Sequence, residues 1–95
     1  MELKDTIEMM QSNDYKERFI AEYQQTKIRY EKLKAFNNKI EAAQRMSFDP
    51  FAQIAKRVEA PKHDCPAEML REQQNIMEQY LHILEVRAAI EGITL

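Results

Sequence analysis

The 95-residue chain has a single glycine, three prolines, one cysteine and no tryptophan. With so few breakers among abundant Glu, Lys, Gln, Ala and Met, the composition points to an all-helical fold. A lone Cys65 excludes an internal disulfide. No basic segment followed by an apolar run opens the chain, so the expected compartment is the cytoplasm. No stretch approaches the roughly 20 consecutive apolar residues that span a bilayer, which excludes a membrane helix. A Gly-rich phosphate loop and a paired-carboxylate motif are both missing, and no reactive constellation suggests an enzyme. His63 and Cys65 are two possible zinc ligands without a second pair, so neither a metal nor another cofactor is expected.

Charge is present but unevenly distributed around a net of −2. Residues 14–46 carry Lys16, Arg18, Lys27, Arg29, Lys32, Lys34, Lys39 and Arg45 against Asp14, Glu17, Glu22, Glu31 and Glu41. Residues 66–95 carry only Arg71 and Arg87 against Glu68, Glu72, Glu78, Glu85 and Glu91. A basic middle and an acidic end suit two helices packed side by side, and the balance disfavours general DNA binding.

The length fits one domain of four helices, spanning 1–95. Leu3, Ile7 and Met10 at i, i+4 and i+7 predict a short helix over about 3–11, a docking arm that ends at Ser12-Asn13-Asp14. Asp14 with Glu17 reads as a capping box starting a long helix over 14–46, about 50 Å at roughly 1.5 Å per residue. Ser47-Phe48-Asp49-Pro50 stops it and starts an amphipathic connector helix over about 50–59. Cys65 or Asp64 caps a last helix over 66–91, with Pro66 at its first position. Gly92 stands where a left-handed cap belongs, and Ile93 after it is placed to fold back onto Ala88.

Each long helix carries two apolar stripes. Phe19, Tyr23, Thr26, Tyr30, Leu33, Asn37 and Ile40 follow a strict 4-3 alternation, as do Leu70, Gln74, Met77, Leu81, Leu84 and Ala88. These seams are expected to face each other in an antiparallel hairpin. Lys27 with Glu85 and Lys34 with Glu78 share one register, since both pairs of residue numbers sum to 112. The second stripes are ladders of seven-residue period, Ala21-Ile28-Ala35-Ala42 and Met69-Ile76-Ile83-Ile90. One chain of this size cannot cover both, so they are expected to form the interface of a homo-oligomer, with dimer, tetramer and hexamer all open.

Arg18, Arg29, Lys32 and Lys39 flank the alanine ladder with Phe36, and Tyr80 and Arg87 flank the isoleucine ladder. Guanidinium and ammonium groups suit phosphate and aromatic faces suit bases, so these seven residues are candidate contacts for a small anionic nucleotide ligand. The competing interpretation makes them ordinary flanking charges and core aromatics of a coiled coil.

The segments Asp14-Tyr15-Lys16-Glu17-Arg18-Phe19, Lys27-Ile28-Arg29-Tyr30-Glu31-Lys32-Leu33 and Tyr80-Leu81-His82-Ile83-Leu84-Glu85-Val86-Arg87-Ala88 resemble a family of small helical proteins of crAss-like and other tailed phages. The resemblance covers about two thirds of the chain and implies a phage or prophage origin. A short helix followed by a long hairpin that oligomerises also resembles, in architecture alone, the phage sponges that sequester cyclic oligonucleotide signals of bacterial defence. It implies a counter-defence protein acting by binding in an infected bacterial host. The alternatives are a protein-directed inhibitor of a host defence nuclease or CRISPR effector, and a phage structural or assembly protein.

Overall fold

The computed structural model describes residues 1–51 and 59–95. A 3-10 turn, Leu3–Thr6, runs directly into the short helix α1, Ile7–Met10. Two long helices follow, α2 over Tyr15–Met46 and α3 over Ala67–Glu91. The connector helix expected over about 50–59 falls on residues 52–58, which lie outside the described residues. The whole is a rod, 56 × 24 × 22 Å.

α2 and α3 are antiparallel. Tyr15 at the start of α2 donates its hydroxyl to Glu91 at the end of α3 (2.9 Å), and Asn37 further along α2 reaches Leu70 near the start of α3. The 4-3 seams make the contact. Phe19, Tyr23, Leu81, Leu84 and Ala88 are buried in one cluster, against which Tyr30 packs. Asn37 and Ile40 are buried farther along α2. Helical geometry returns i, i+3 and i+7 positions to one face, which is why this alternation buries so cleanly.

The caps differ in detail from the pattern read in the sequence. Asp14 does cap α2, but its carboxylate accepts from the Lys16 amide (3.0 Å) and not from that of Glu17. Glu17 is not needed for the reciprocal bond, because the Asp14 amide donates instead to the Ser12 hydroxyl (3.0 Å). At α3 neither Asp64 nor Cys65 supplies a cap bond. Pro66, extended at ψ 140°, occupies the cap position and its carbonyl accepts from Met69 and Leu70. At the other end Gly92 adopts φ 71°, a left-handed geometry that only glycine takes without strain. The turn lets the Ile93 amide donate to the Ala88 carbonyl (2.8 Å) and folds the Ile93 side chain into the core cluster.

The N-terminal arm lies on α2. Thr6 is fully buried, donating to the Leu3 carbonyl (2.7 Å) and accepting from the Gln25 amide (2.9 Å), while Met10 also meets Gln25. Ala21 beneath the arm is fully buried as well. Two small side chains let a turn and a helix approach closely, so Ala21 works inside one chain as a seat for the arm.

The expected ion pairs Lys27 with Glu85 and Lys34 with Glu78 do not close. The ion pairs among the described residues are Lys4 with Glu2, Arg45 with Glu41 and Arg87 with Glu91. Glu85 instead accepts the Tyr23 hydroxyl (2.7 Å), and the Lys27 and Lys34 ammonium groups each lie 6.0 Å from a tyrosine ring, Tyr23 and Tyr30 respectively. A rigid phenol already fixed in the seam reaches the carboxylate at little entropic cost, whereas an exposed lysine gains at most about 1 kcal/mol from the same contact.

Candidate functional site

Tyr23 is the most perturbed of the polar groups that link the two helices. It is buried, and that burial together with its bond to Glu85 pushes the phenol up to about 12. The folded chain therefore holds this proton more tightly than the unfolded one. The stabilisation is fully present below pH 10 and is lost as pH rises from 10 to 12. Relative to Tyr23→Phe, wild-type protein should lose on the order of 2 kcal/mol more stability over that interval, as read by urea unfolding at a series of pH values. Equal pH dependence of the two proteins would remove this role from the Tyr23–Glu85 bond.

The seven candidate ligand contacts do not converge on one pocket of a single chain. Arg87 is held on three sides: its guanidinium carbon sits 5.0 Å from the Phe19 ring centre, Nη2 donates to the Tyr15 hydroxyl (2.7 Å), and Nε donates to Glu91 (3.2 Å). Tyr80 donates to Glu22, and that acceptor raises its pKa. Arg18 donates to the Ser12 carbonyl (2.8 Å), closing the loop before α2. Phe36 meets the His63 ring edge-on at 6.0 Å. Lys32 borders a cleft beneath the N-terminal arm with Leu3 and Ile28. Arg29 and Lys39 are exposed, and neither enters an ion pair among the described residues. Of the seven candidates, the cations with neither an ion pair nor a hydrogen bond among the described residues are Arg29, Lys32 and Lys39, in a row along one side of α2.

The two ladders fare differently. On α2, Ala21 is buried under the arm, Ile28 and Ala42 are half-buried, and Ala35 is exposed. On α3 the ladder is open throughout: Met69 is 59% exposed, Ile76 57%, Ile83 54% and Ile90 79%. Tyr80 and Val86 extend the same apolar surface at 39% and 45% exposure.

A second set of groups, outside the row of cations and aromatics, lies on the opposite flank of the hairpin. A cleft of about 320 Å³ there is bordered by Tyr23, Lys27, Tyr30, Glu78, His82 and Glu85. A smaller one of about 190 Å³ is bordered by Asn37, Asn38, Glu41, Arg71, Gln74 and Asn75. Asn37 is legible in the sequence only as a member of the 4-3 seam, and its spacing alone does not reveal the carboxamides gathered around it. No group of three or more His, Cys, Asp or Glu side chains arranged to hold a metal ion occurs among the described residues. His63 and Cys65 meet only through the His63 ring nitrogen and the Cys65 carbonyl, so the Cys65 thiol plays no part in that contact. No helix among the described residues is long and apolar enough to cross a membrane.

The Sequestin family model matches residues 13–90, from the turn before α2 almost to the end of α3. Neither a curated protein nor a solved structure matches significantly. The match spans both long helices and most of the chain, and the chain belongs to the Sequestin family.

Proposed function

We propose that this Sequestin-family chain is a phage-encoded counter-defence protein that sequesters a cyclic nucleotide-type immune signal as a homo-oligomer. It acts by binding and requires no turnover. The family's name fits a sequestering role, and the family match spans both long helices. The observation that carries the reading is a pair of unsatisfied surfaces. An open apolar stripe, Met69-Ile76-Ile83-Ile90, offers a face for a second copy, and among the described residues the cations Arg29, Lys32 and Lys39 have no carboxylate partner. Stripes of this kind rarely stay bare on soluble monomers.

In this reading phosphate oxygens are met by Arg29, Lys32 and Lys39, with Arg18 and Arg87 together at the N-terminal end of the row and Phe36 or Tyr80 against a base. Arg87 is the best oriented of them, because Phe19, Tyr15 and Glu91 fix its plane while leaving donor hydrogens on its terminal nitrogens. Calorimetry of the purified protein with a panel of cyclic di- and trinucleotides should give saturable binding to at least one. Affinity should fall as salt is raised, since exposed charges make the contact. Silence across the panel would sink the ligand. Native mass spectrometry of freshly purified protein should show more than one subunit, and any retained ligand as added mass.

The same open stripe favours one other reading, an inhibitor that lays its α3 face against a helix of a host defence protein. A stoichiometric host protein co-purifying from infected cells, with the phage chain itself monomeric, would decide for that reading.

A further inference from the structure

Asn37 is 6% exposed and occupies a seam position where an apolar residue would pack best. Its amide nitrogen donates twice, to the Leu70 carbonyl (3.1 Å) and to Gln74 Oε1 (2.9 Å). Its oxygen Oδ1 is buried and has no partner among the described residues. An orphaned buried acceptor is destabilising, and burial without a partner is uncommon enough to call for an explanation. A plain register device would leave no such cost, because the two donated bonds already fix the register.

The surroundings supply one. Asn37 borders the 190 Å³ cleft with Asn38, Gln74 and Asn75, so four carboxamides meet there; of the two charged groups at its edge, Glu41 is paired with Arg45 while Arg71 forms no ion pair among the described residues. The volume is below the roughly 300 Å³ of a site that takes a whole small molecule, which suits one ring and not an entire cyclic dinucleotide. Nor does the cleft end blindly. Asn75 is shared with a neighbouring depression that also holds Glu78 and His82, and these in turn border the tyrosine-lined cleft beyond.

The geometry points to a nucleobase-edge subsite at Asn37, with Arg71 as the local phosphate contact. The inference rests on the nucleotide reading for its ligand class. A carboxamide pairs bidentately with a base edge that carries an N–H donor beside an acceptor, as the amino edge of adenine does. Half-buried Gln74 now takes one Asn37 amide hydrogen. Once it turns out of the seam, the base acceptor takes that hydrogen and the base N–H donates to Oδ1. The exchange costs no bond at Asn37 and satisfies the orphan. This surface is on the flank away from Arg29 and Lys32, so the two sets of contacts can be tested apart.

The test is calorimetry of the full chain with AMP and with cyclic di-AMP, comparing wild type, Asn37→Leu and Arg71→Ala, alongside thermal melts of each. Asn37→Leu should melt at a higher temperature, because it fills the seam and removes the orphan, and yet bind AMP about tenfold or more weakly. A role confined to packing or register cannot give that opposite pair of shifts. Arg71→Ala should weaken AMP with an unchanged melt. Wild-type binding that survives both substitutions would overturn the subsite, leaving the nucleotide reading intact, and would mean that Oδ1 holds only a water. Binding of other cyclic nucleotides with none of either adenine probe would also overturn it, and no binding by any probe would overturn both readings.

Discussion

Replacing Leu84 with alanine should lower the stability of the chain by about 2 to 5 kcal/mol, the range for removing a fully buried leucine from a packed core. Leu84 is 1% exposed and shares its cluster with Phe19, Tyr23, Leu81, Ala88 and Ile93. Among the described residues it is one of the two largest fully buried side chains, and the other, Thr6, lies apart in the N-terminal arm. A domain of this size is stable by roughly 5 to 14 kcal/mol in all, so the single substitution removes a large share. The loss has two parts, the transfer energy of the deleted methyls and the void they leave. Phe19 and Tyr23 are rigid rings braced by Arg87 and Glu85, so the void cannot easily collapse. Urea unfolding at one fixed protein concentration reads the effect. A loss under about 1 kcal/mol would mean that the α2–α3 seam is not the main source of stability.

How far the sequence carries can be judged residue by residue. The 4-3 alternation of apolar residues foretold which faces of α2 and α3 meet, because helical periodicity is geometric and survives any detail of packing. The glycine cap with its returning Ile93 was equally legible, since Gly92 is the only residue in the chain free of the penalty for φ 71°. Pairings among flexible charged side chains were not. Lys27 and Lys34 matched Glu85 and Glu78 in number, but the Tyr23 phenol takes Glu85, and proximity along a register does not rank competitors. Charge pattern gave a row of cations without showing which were spent. Arg87 and Arg18 turn inward to Tyr15 and to Ser12 O, contacts that depend on how loops and helix ends return. The Asn37 cleft was hidden for a related reason, as its polar character appears only when Asn38 of α2 and Asn75 of α3 are brought to one flank.

Changing Ile76 and Ile83 together to glutamate should abolish the proposed self-association while leaving the hairpin folded. Both side chains are more than half exposed in the single chain, so the fold loses little, and glutamate is the better helix former of the two residue types. The α3 ladder is self-complementary in one antiparallel register. With residue numbers summing to 159, Ile76 of one copy meets Ile83 of the other, and Met69 meets Ile90. All four rungs are then covered at once. Burying one isoleucine contributes about 1.5 to 3 kcal/mol, and a two-fold interface counts each substitution twice. The glutamates also bring like charges face to face. Dissociation should therefore strengthen at least about a hundredfold, enough to leave monomers at ordinary working concentrations. Sedimentation and native mass spectrometry report subunit number, and the melting temperature of wild type alone should rise with protein concentration. The contrast with Leu84→Ala is the decisive part. The core substitution should lower stability at every concentration, whereas the double glutamate variant should match the wild type once that protein is diluted into monomers. A variant that keeps the wild-type subunit number would move the interface off this stripe.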